Sequence, residues 1–344
     1  MNSKNVITMK NKIHRFCLLP VLYLLILLLM AGCNGSDKAS PSENIICDPD
    51  NGGITLPEGF CATVVIDSLS LRDDHSARHI AVAPNGDIYM KTRSTEGGIV
   101  ALRDTNGDYR ADIIKYFGNM NETKEGILWE TGVAIHNGYI WASNTTAVYR
   151  WPMPKGGALV PEGEPEMVVS GFPQQQSHAS KAFTFDNKGN LYVAVGAPSN
   201  ACQTEERTPG SPGIEPCPLL EEHGGIWRFD ANKTNQTFSA AARYGTGLRN
   251  VVGLDWNTTA DALFVMQHGR DQLHTLWPDF YTEEESAELP AESMYEVKEG
   301  DRFAWPYGYY DQQKEKLMLS PEYGGNGKIT IADSKFAGQF KEPV

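Results

Sequence analysis

Four stretches of the chain repeat one pattern: APNGDIYMKT at 83 to 92, IHNGYIWASN at 135 to 144, FDNKGNLYVAVG at 185 to 196 and NTTADALFVMQHG at 257 to 269. Each puts a polar turn rich in Gly, Asn or Asp ahead of an alternating apolar run of about six residues, as expected of a strand entered through a tight turn. The first three recur about every fifty residues, the period of a four-stranded propeller blade, which cannot bury its faces alone. Segments such as GGIVALRD, TAVYRWPMP and GGIWRFDAN read as further strands, whereas amphipathic helical periodicity is scarce. A β-sandwich would supply the strands but not the regular period. The expected fold is an all-β propeller over residues 51–344 with long loops on one face. The wider spacing before the fourth repeat reflects an insertion between Cys202 and Cys217. The final FAGQFKEPV stops before a ring of blades has closed its edges, so the propeller is expected to be C-terminally incomplete.

The chain has 344 residues, 41% hydrophobic and 21% charged, enough apolar material for a sizeable core. Its net charge of -13 speaks against a nucleic-acid partner and suits a neutral or cationic partner or a divalent cation. Lys4, Lys10, Lys12 and Arg15 precede FCLLPVLYLLILLLMAG, an apolar run that ends in small residues directly before Cys33. Residues 1–32 thus read as a lipoprotein export signal and Cys33 as the lipidated residue, with an uncleaved membrane anchor as the alternative. Residues 33–50 read as the lipidated cysteine and its tether. Asn34 after Cys33, rather than aspartate, points to the outer membrane, facing the periplasm. An oxidising compartment agrees with the four remaining cysteines. Of their three possible connectivities, local pairing of Cys47 with Cys61 and of Cys202 with Cys217 is expected. No CxxC or CxxCH occurs, so neither zinc nor covalent haem is indicated.

Several residues could carry chemistry. His178 precedes a strand pair, where propeller loops enter the central channel; it could equally be a loop histidine bonded to backbone. Arg249 and Asn250 follow Gly245 and Gly247, which let backbone approach a ligand closely. Arg249 could serve that ligand or hold a carboxylate of a neighbouring blade. DTNGDYRAD sets Asp104, Asn106, Asp108 and Asp112 in part of a calcium-loop pattern, but Tyr109 and Lys115 stand where glycine and glutamate are required, so a polar hairpin turn is expected. HSARH, with His75 and His79, lacks the glutamate of a zinc-protease helix.

Taken in order, His178 before GNLYVAVG, then CQTEERTPGSPGIEPC, GGIWRFDAN, GTGLRNVVGLDW, MQHGRDQL and GDRFAWPYGYYD resemble the glucose/sorbosone dehydrogenase family, and more broadly the pyrroloquinoline-quinone-dependent pyranose dehydrogenase propellers. The resemblance implies a six-bladed propeller of four-stranded blades with the quinone across its mouth beside calcium. It implies His178 as the general base on a sugar hydroxyl and Arg249 as the charge beside the reacting quinone carbonyl. Asn250 and His268 would contact the cofactor, and Gly269, Arg270 and Asp271 would lie at the calcium. Ala197 occupies the place of an aspartate that supports the base in soluble glucose dehydrogenases, which implies a different orienting group here. The function implied is oxidation of a sugar by hydride transfer to the quinone, with electrons passed to an external acceptor such as a cytochrome c. The alternatives are a noncatalytic lipoprotein propeller that binds carbohydrate or protein, and a calcium-dependent lactonase, which would need acidic ligands at the channel.

Overall fold

The computed structural model describes residues 47–69, 77–92, 98–118, 132–289 and 292–344. The chain divides into two units, Met1–Cys47 and Asp48–Val344. The export signal, Cys33 and His75 lie outside the described residues, within which no helix is long and apolar enough to cross a membrane.

The second unit is a succession of meandering sheets. The first contains β1 (Ala77–Val82), β2 (Ile88–Thr92), β3 (Ile99–Arg103) and β4 (Ile113–Phe117) in chain order, all antiparallel. The second repeats the arrangement with β5 (Val133–His136), β6 (Tyr139–Ser143), β7 (Ala147–Pro152) and β8 (Glu166–Ser170). The third is built from β9 (Phe183–Phe185), β10 (Asn190–Val195) and β11 (Gly225–Asp230), with β13 (Arg243–Thr246) as its fourth strand. Between β11 and β13, the short β12 (Gln236–Thr237) crosses back to pair in parallel with β8. The fourth sheet holds β14 (Val251–Asn257), β15 (Ala262–Gln267) and β16 (Ser293–Val297). After it, β17 (Asp301–Arg302) pairs in parallel with β13, and β18 (Gly308–Asp311) forms a hairpin with β19 (Lys316–Leu319).

The four sequence repeats are β2, β6, β10 and β15, each the second strand of its sheet. The turn that enters each one needs a left-handed residue, supplied by Gly86 (φ 89°), by Asn137 and Gly138 (47° and 78°), by Gly189 (90°) and by Asp261 (51°). This turn chemistry generates the repeat. The propeller is all-β with few helices, as expected. The six blades expected are not reached among the described residues, which form four such sheets followed by the β18–β19 hairpin. The reason is local: after β16 the chain makes an edge strand, one hairpin and the 3-10 turns Pro321–Tyr323 and Ile331–Asp333, rather than another meander.

Packing follows from alternation. Along β10, Leu191, Val193 and Val195 join Trp141 and Val168 of the second sheet in one core layer, while Tyr192 and Ala194 join Trp256, Leu263 and Val265 of the fourth in another. A strand whose two faces both meet other sheets is apolar at every position, as LYVAV is. A third layer joins Tyr89, Ile99 and Ala101 to Ile140, Ala142 and Trp151. First strands touch in series, β1 on β5, β5 on β9 and β9 on β14, so they form the inner side of the arc.

Cys47 and Cys61 are both disulfide-bonded, and Cys202 is bonded to Cys217 as expected. The latter bridge closes the insertion between β10 and β11. Three loops therefore gather where β10 ends: this insertion, the β13–β14 connection at 247–250 and the segment after β15 at 268–272.

Candidate functional site

His178 stands at the entrance to β9 with φ 53°, a conformation that costs a non-glycine residue energy and persists only when its surroundings hold it. Gln175 supplies part of that hold, because its side-chain amide donates to the His178 carbonyl (3.0 Å) and the Gly196 carbonyl (2.9 Å). Gly196 is required by space: a Cβ there would come within 2.6 Å of the His178 carbonyl oxygen and 3.0 Å of Asn250 Oδ1. That close approach packs His178 and the Asn250 side chain against one backbone position.

The imidazole is oriented by a single short bond, His178 Nδ1 to the Ala197 carbonyl oxygen at 2.5 Å. A carbonyl can only accept, so Nδ1 carries the hydrogen and Nε2 keeps its lone pair. Burial, reinforced by the Arg249 charge, pulls the ring's pKa from 6.5 down to about 4 against the opposing pull of that carbonyl. The side chain is thus a neutral base with a fixed tautomer. The orienting group that the Ala197 substitution left open is the backbone of Ala197 itself.

Ala197 links His178 to the next element, since its N–H donates to the Arg249 carbonyl at 2.8 Å. The Arg249 guanidinium is buried and directs Nε to the Asn200 carbonyl (3.2 Å), Nη1 to the Gly269 carbonyl (2.7 Å) and Nη2 to Asp271 Oδ2 (2.7 Å). The arginine holds a carboxylate from the segment after β15, and its charge acts on His178. Asn250 is half-buried, and its side-chain amide makes no hydrogen bond among the described residues. His268 turns outward, with Nδ1 3.1 Å from Glu292 Oε1, and lines a small cavity with Arg249, Gln267, Gly269 and Trp305. The Arg270 side chain leaves the site for the interior, where it forms a two-pronged pair with Glu322 at 2.5 and 3.0 Å.

Asp271 belongs to the cluster through its side chain. Burial raises its pKa, but Arg249 and Arg207 outweigh this and hold the carboxyl below its ordinary value. Arg207 is the residue that sequence reasoning missed. It comes from the disulfide-closed insertion and donates from Nη2 to Asp271 Oδ2 at 3.2 Å. Its left-handed φ of 52° matches those of His178, Cys202 (54°) and Gln272 (62°), so non-glycine backbone strain concentrates around this cluster.

Elsewhere, the Asp104 carboxylate accepts from the amides of Asn106, Gly107 and Tyr109 at 3.0, 2.7 and 2.7 Å, making a turn network. Among the described residues no group of three or more His, Cys, Asp or Glu could hold a metal ion.

Fold and site together define an all-β propeller with a neutral histidine and a cluster of arginines where its third and fourth sheets meet. The chain belongs to the TrAA12-like family, whose model matches residues 54–317. Among solved structures it is similar to the calcium structure of the Trichoderma reesei Carbohydrate-Active Enzymes Family AA12 protein, with a TM-score of 0.56 and 17% identity over 78% of this chain and 66% of that one. The iodide structure of that family from the same organism gives a TM-score of 0.55 and 16% identity over 81% and 73%. The holo form of the pyranose dehydrogenase PQQ domain from Coprinopsis cinerea gives 0.58 and 14% over 81% and 66%. Such identities speak for the fold alone. The chain spans 66% of the length of two of these structures. No curated protein matches it by sequence.

Proposed function

We propose that this protein is a quinoprotein dehydrogenase that oxidises a sugar, with pyrroloquinoline quinone as its cofactor. The observation that carries the proposal is the fixed tautomer of His178, whose Nδ1 hydrogen faces the Ala197 carbonyl and leaves Nε2 its lone pair, in a ring that the charge of buried Arg249 reaches.

The residues fit the quinone. Asn250 has an unengaged, half-buried amide next to His178, and the buried Arg249 guanidinium sets a positive charge there for an anionic organic cofactor. They do not fit calcium in this arrangement. The Gly269 carbonyl already accepts from Arg249 at 2.7 Å and the Asp271 carbonyl from Asn200 Nδ2 at 2.9 Å, and a cation between them would face the guanidinium charge.

In this reading His178 Nε2 accepts the proton of a substrate hydroxyl, and its neutral state above pH about 4 keeps it ready to do so. Ala197 holds the ring in place as charge passes to it. Arg249, fixed by three acceptors, stabilises negative charge that develops nearby without having to reorganise. Pyrroloquinoline quinone held beside Asn250 and Arg249 would supply the hydride acceptor for the carbon that bears this hydroxyl. The reading extends to a lipid anchor at Cys33 in the outer membrane, facing the periplasm, and to an external electron acceptor; incorporation of radiolabelled palmitate lost in Cys33→Ala is the test of the anchor.

Titrating the protein with pyrroloquinoline quinone, then following dye reduction with a panel of aldoses, tests the activity. His178→Ala is expected to lower turnover by roughly a hundredfold to ten-thousandfold while quinone binding persists. Lost quinone binding with normal turnover in the loaded fraction would remove the base assignment. One observation favours a second reading: Arg249 already directs all three of its nitrogens to acceptors within the protein. A noncatalytic propeller that binds carbohydrate or protein would have this property, and failure to take up quinone would select it.

A further inference from the structure

The Cys202–Cys217 insertion builds something besides a cover for β10. Asn200, fully buried, clamps the backbone of Asp271 from both sides: Oδ1 accepts from its N–H and Nδ2 donates to its carbonyl, each at 2.9 Å. A few residues on, Glu206 is tied back by the Ser199 hydroxyl at 2.5 Å and the Asn200 amide at 2.8 Å. Gln203, also buried, accepts from the Arg207 N–H at 2.9 Å and donates to the Thr208 and Ser211 carbonyls at 3.2 Å. Ser199 and Asn200, just before the disulfide, and Gln203, inside the loop that it closes, therefore fix the backbone of Asp271 and Arg207.

What they fix is a donor beside an acceptor, both accessible. Arg249 and Arg207 each donate to the same oxygen, Asp271 Oδ2. The other oxygen, Oδ1, has no partner among the described residues, and the Asp271 side chain is 51% exposed. Arg207 is 39% exposed, is braced by Gln272 Oε1 through Nη1 and has Nε 3.9 Å from Glu206 Oε1, leaving a second N–H on each of Nη1 and Nη2. An exposed carboxylate oxygen next to a guanidinium fork matches two neighbouring hydroxyls, one donating to the carboxylate and the other accepting from the arginine. It suits a sugar acid poorly, because a ligand carboxylate would have to approach Asp271.

We infer that Arg207 and Asp271 form a subsite for a vicinal hydroxyl pair of a neutral pyranose, connected to His178 through Arg249 and Ala197. Asp271 then serves as a hydroxyl-binding residue, and the role of the insertion is substrate selection. This rests on the sugar-oxidation reading above. Its test uses binding, so that the two can fail separately.

Isothermal titration calorimetry on the protein without quinone would use D-glucose, D-galactose, D-mannose and D-xylose, the monodeoxy analogues of whichever binds, and D-glucuronate. Arg207→Ala is expected to weaken binding of the preferred sugar about tenfold or more, with the thermal midpoint unchanged; Arg207→Lys should recover part of the loss. One deoxy analogue should bind the wild type correspondingly weakly and lose little further in Arg207→Ala, because the hydroxyl and the side chain are partners. No binding of any of the four sugars by the wild type, unchanged sugar affinity in Arg207→Ala, or an effect confined to glucuronate would each overturn the subsite. Sugar binding through Arg207 without quinone-dependent dye reduction would remove the dehydrogenase reading and leave the subsite standing.

Discussion

Arg249 and Arg270 are buried to nearly the same degree, and each is paired with a carboxylate, yet their surroundings differ. Glu322, the partner of Arg270, is completely enclosed and also accepts from Trp277 Nε1 at 2.9 Å. Asp271, the partner of Arg249, is half exposed and shared with a second arginine. A closed pair of this kind holds elements together, here the segment after β15 and the turn at Pro321–Tyr323. An open pair keeps a charge in place while leaving part of its partner available to a ligand. Burial of the arginine does not separate the two cases; exposure of the carboxylate does.

Breaking the closed pair should give the largest effect. Glu322→Ala leaves the Arg270 charge buried without its partner and is expected to cost about 3–5 kcal/mol, read as a fall in thermal midpoint on the order of 10 °C. A midpoint close to that of the wild type would end the structural reading. Arg249→Lys keeps a charge but loses the fork geometry. Turnover should fall by about a hundredfold while the midpoint moves far less than in Glu322→Ala. If the two variants destabilise equally, the distinction between the pairs collapses.

Burial of His178, reinforced by the Arg249 charge, also sets a pH dependence. With His178 held neutral down to about 4, the acid limb of turnover should lie near that pH rather than near 6.5. The unfolded chain binds this proton below 6.5 and the folded chain only below about 4, so folding stability falls as pH drops through that window. Urea titrations of wild type and His178→Ala should diverge there, the wild type losing more. A second pH dependence belongs to Lys181, which is fully buried with Nζ donating to the Ala179 carbonyl at 2.7 Å. Burial pulls its pKa from 10.5 to about 7, so the folded protein binds this proton less readily than the unfolded chain, and stability rises with pH between those values. Lys181→Met should therefore raise the thermal midpoint by several degrees at pH 7 and below, a gain that fades as pH approaches 10.5. A gain that does not depend on pH would show that packing, not desolvation, is responsible.

Much of this was legible in residue order, and the limits have physical causes. The strand that follows each Gly or Asn turn was readable because a left-handed turn leaves few residue choices. The short-range Cys202–Cys217 bridge was readable because only a few pairings exist. The number of blades was not, since residues after β16 look as strand-rich as the rest while pairing as one hairpin and an edge. The orienting partner of His178 was invisible because it is a main-chain carbonyl, which any residue at 197 would provide. Arg207 and Asn200 were missed because their partners lie far along the chain: 71 residues separate Asn200 from Asp271. The direction of the Arg270 side chain was hidden for the same reason, its acceptor lying 52 residues away.

The two crossing strands, β12 on β8 and β17 on β13, have a further implication. Each covers the outer edge of one sheet with residues from the next, β12 from just before the last strand of the third sheet and β17 from just after the last strand of the fourth, so the repeat in sequence and the repeat in hydrogen bonding are out of phase. Cutting the gene between sheets would strip an edge from the sheet left behind and expose unpaired backbone there. Shuffling of units in such a protein, by evolution or by design, would have to place its junctions inside sheets, and each fold neighbour would then carry part of the next.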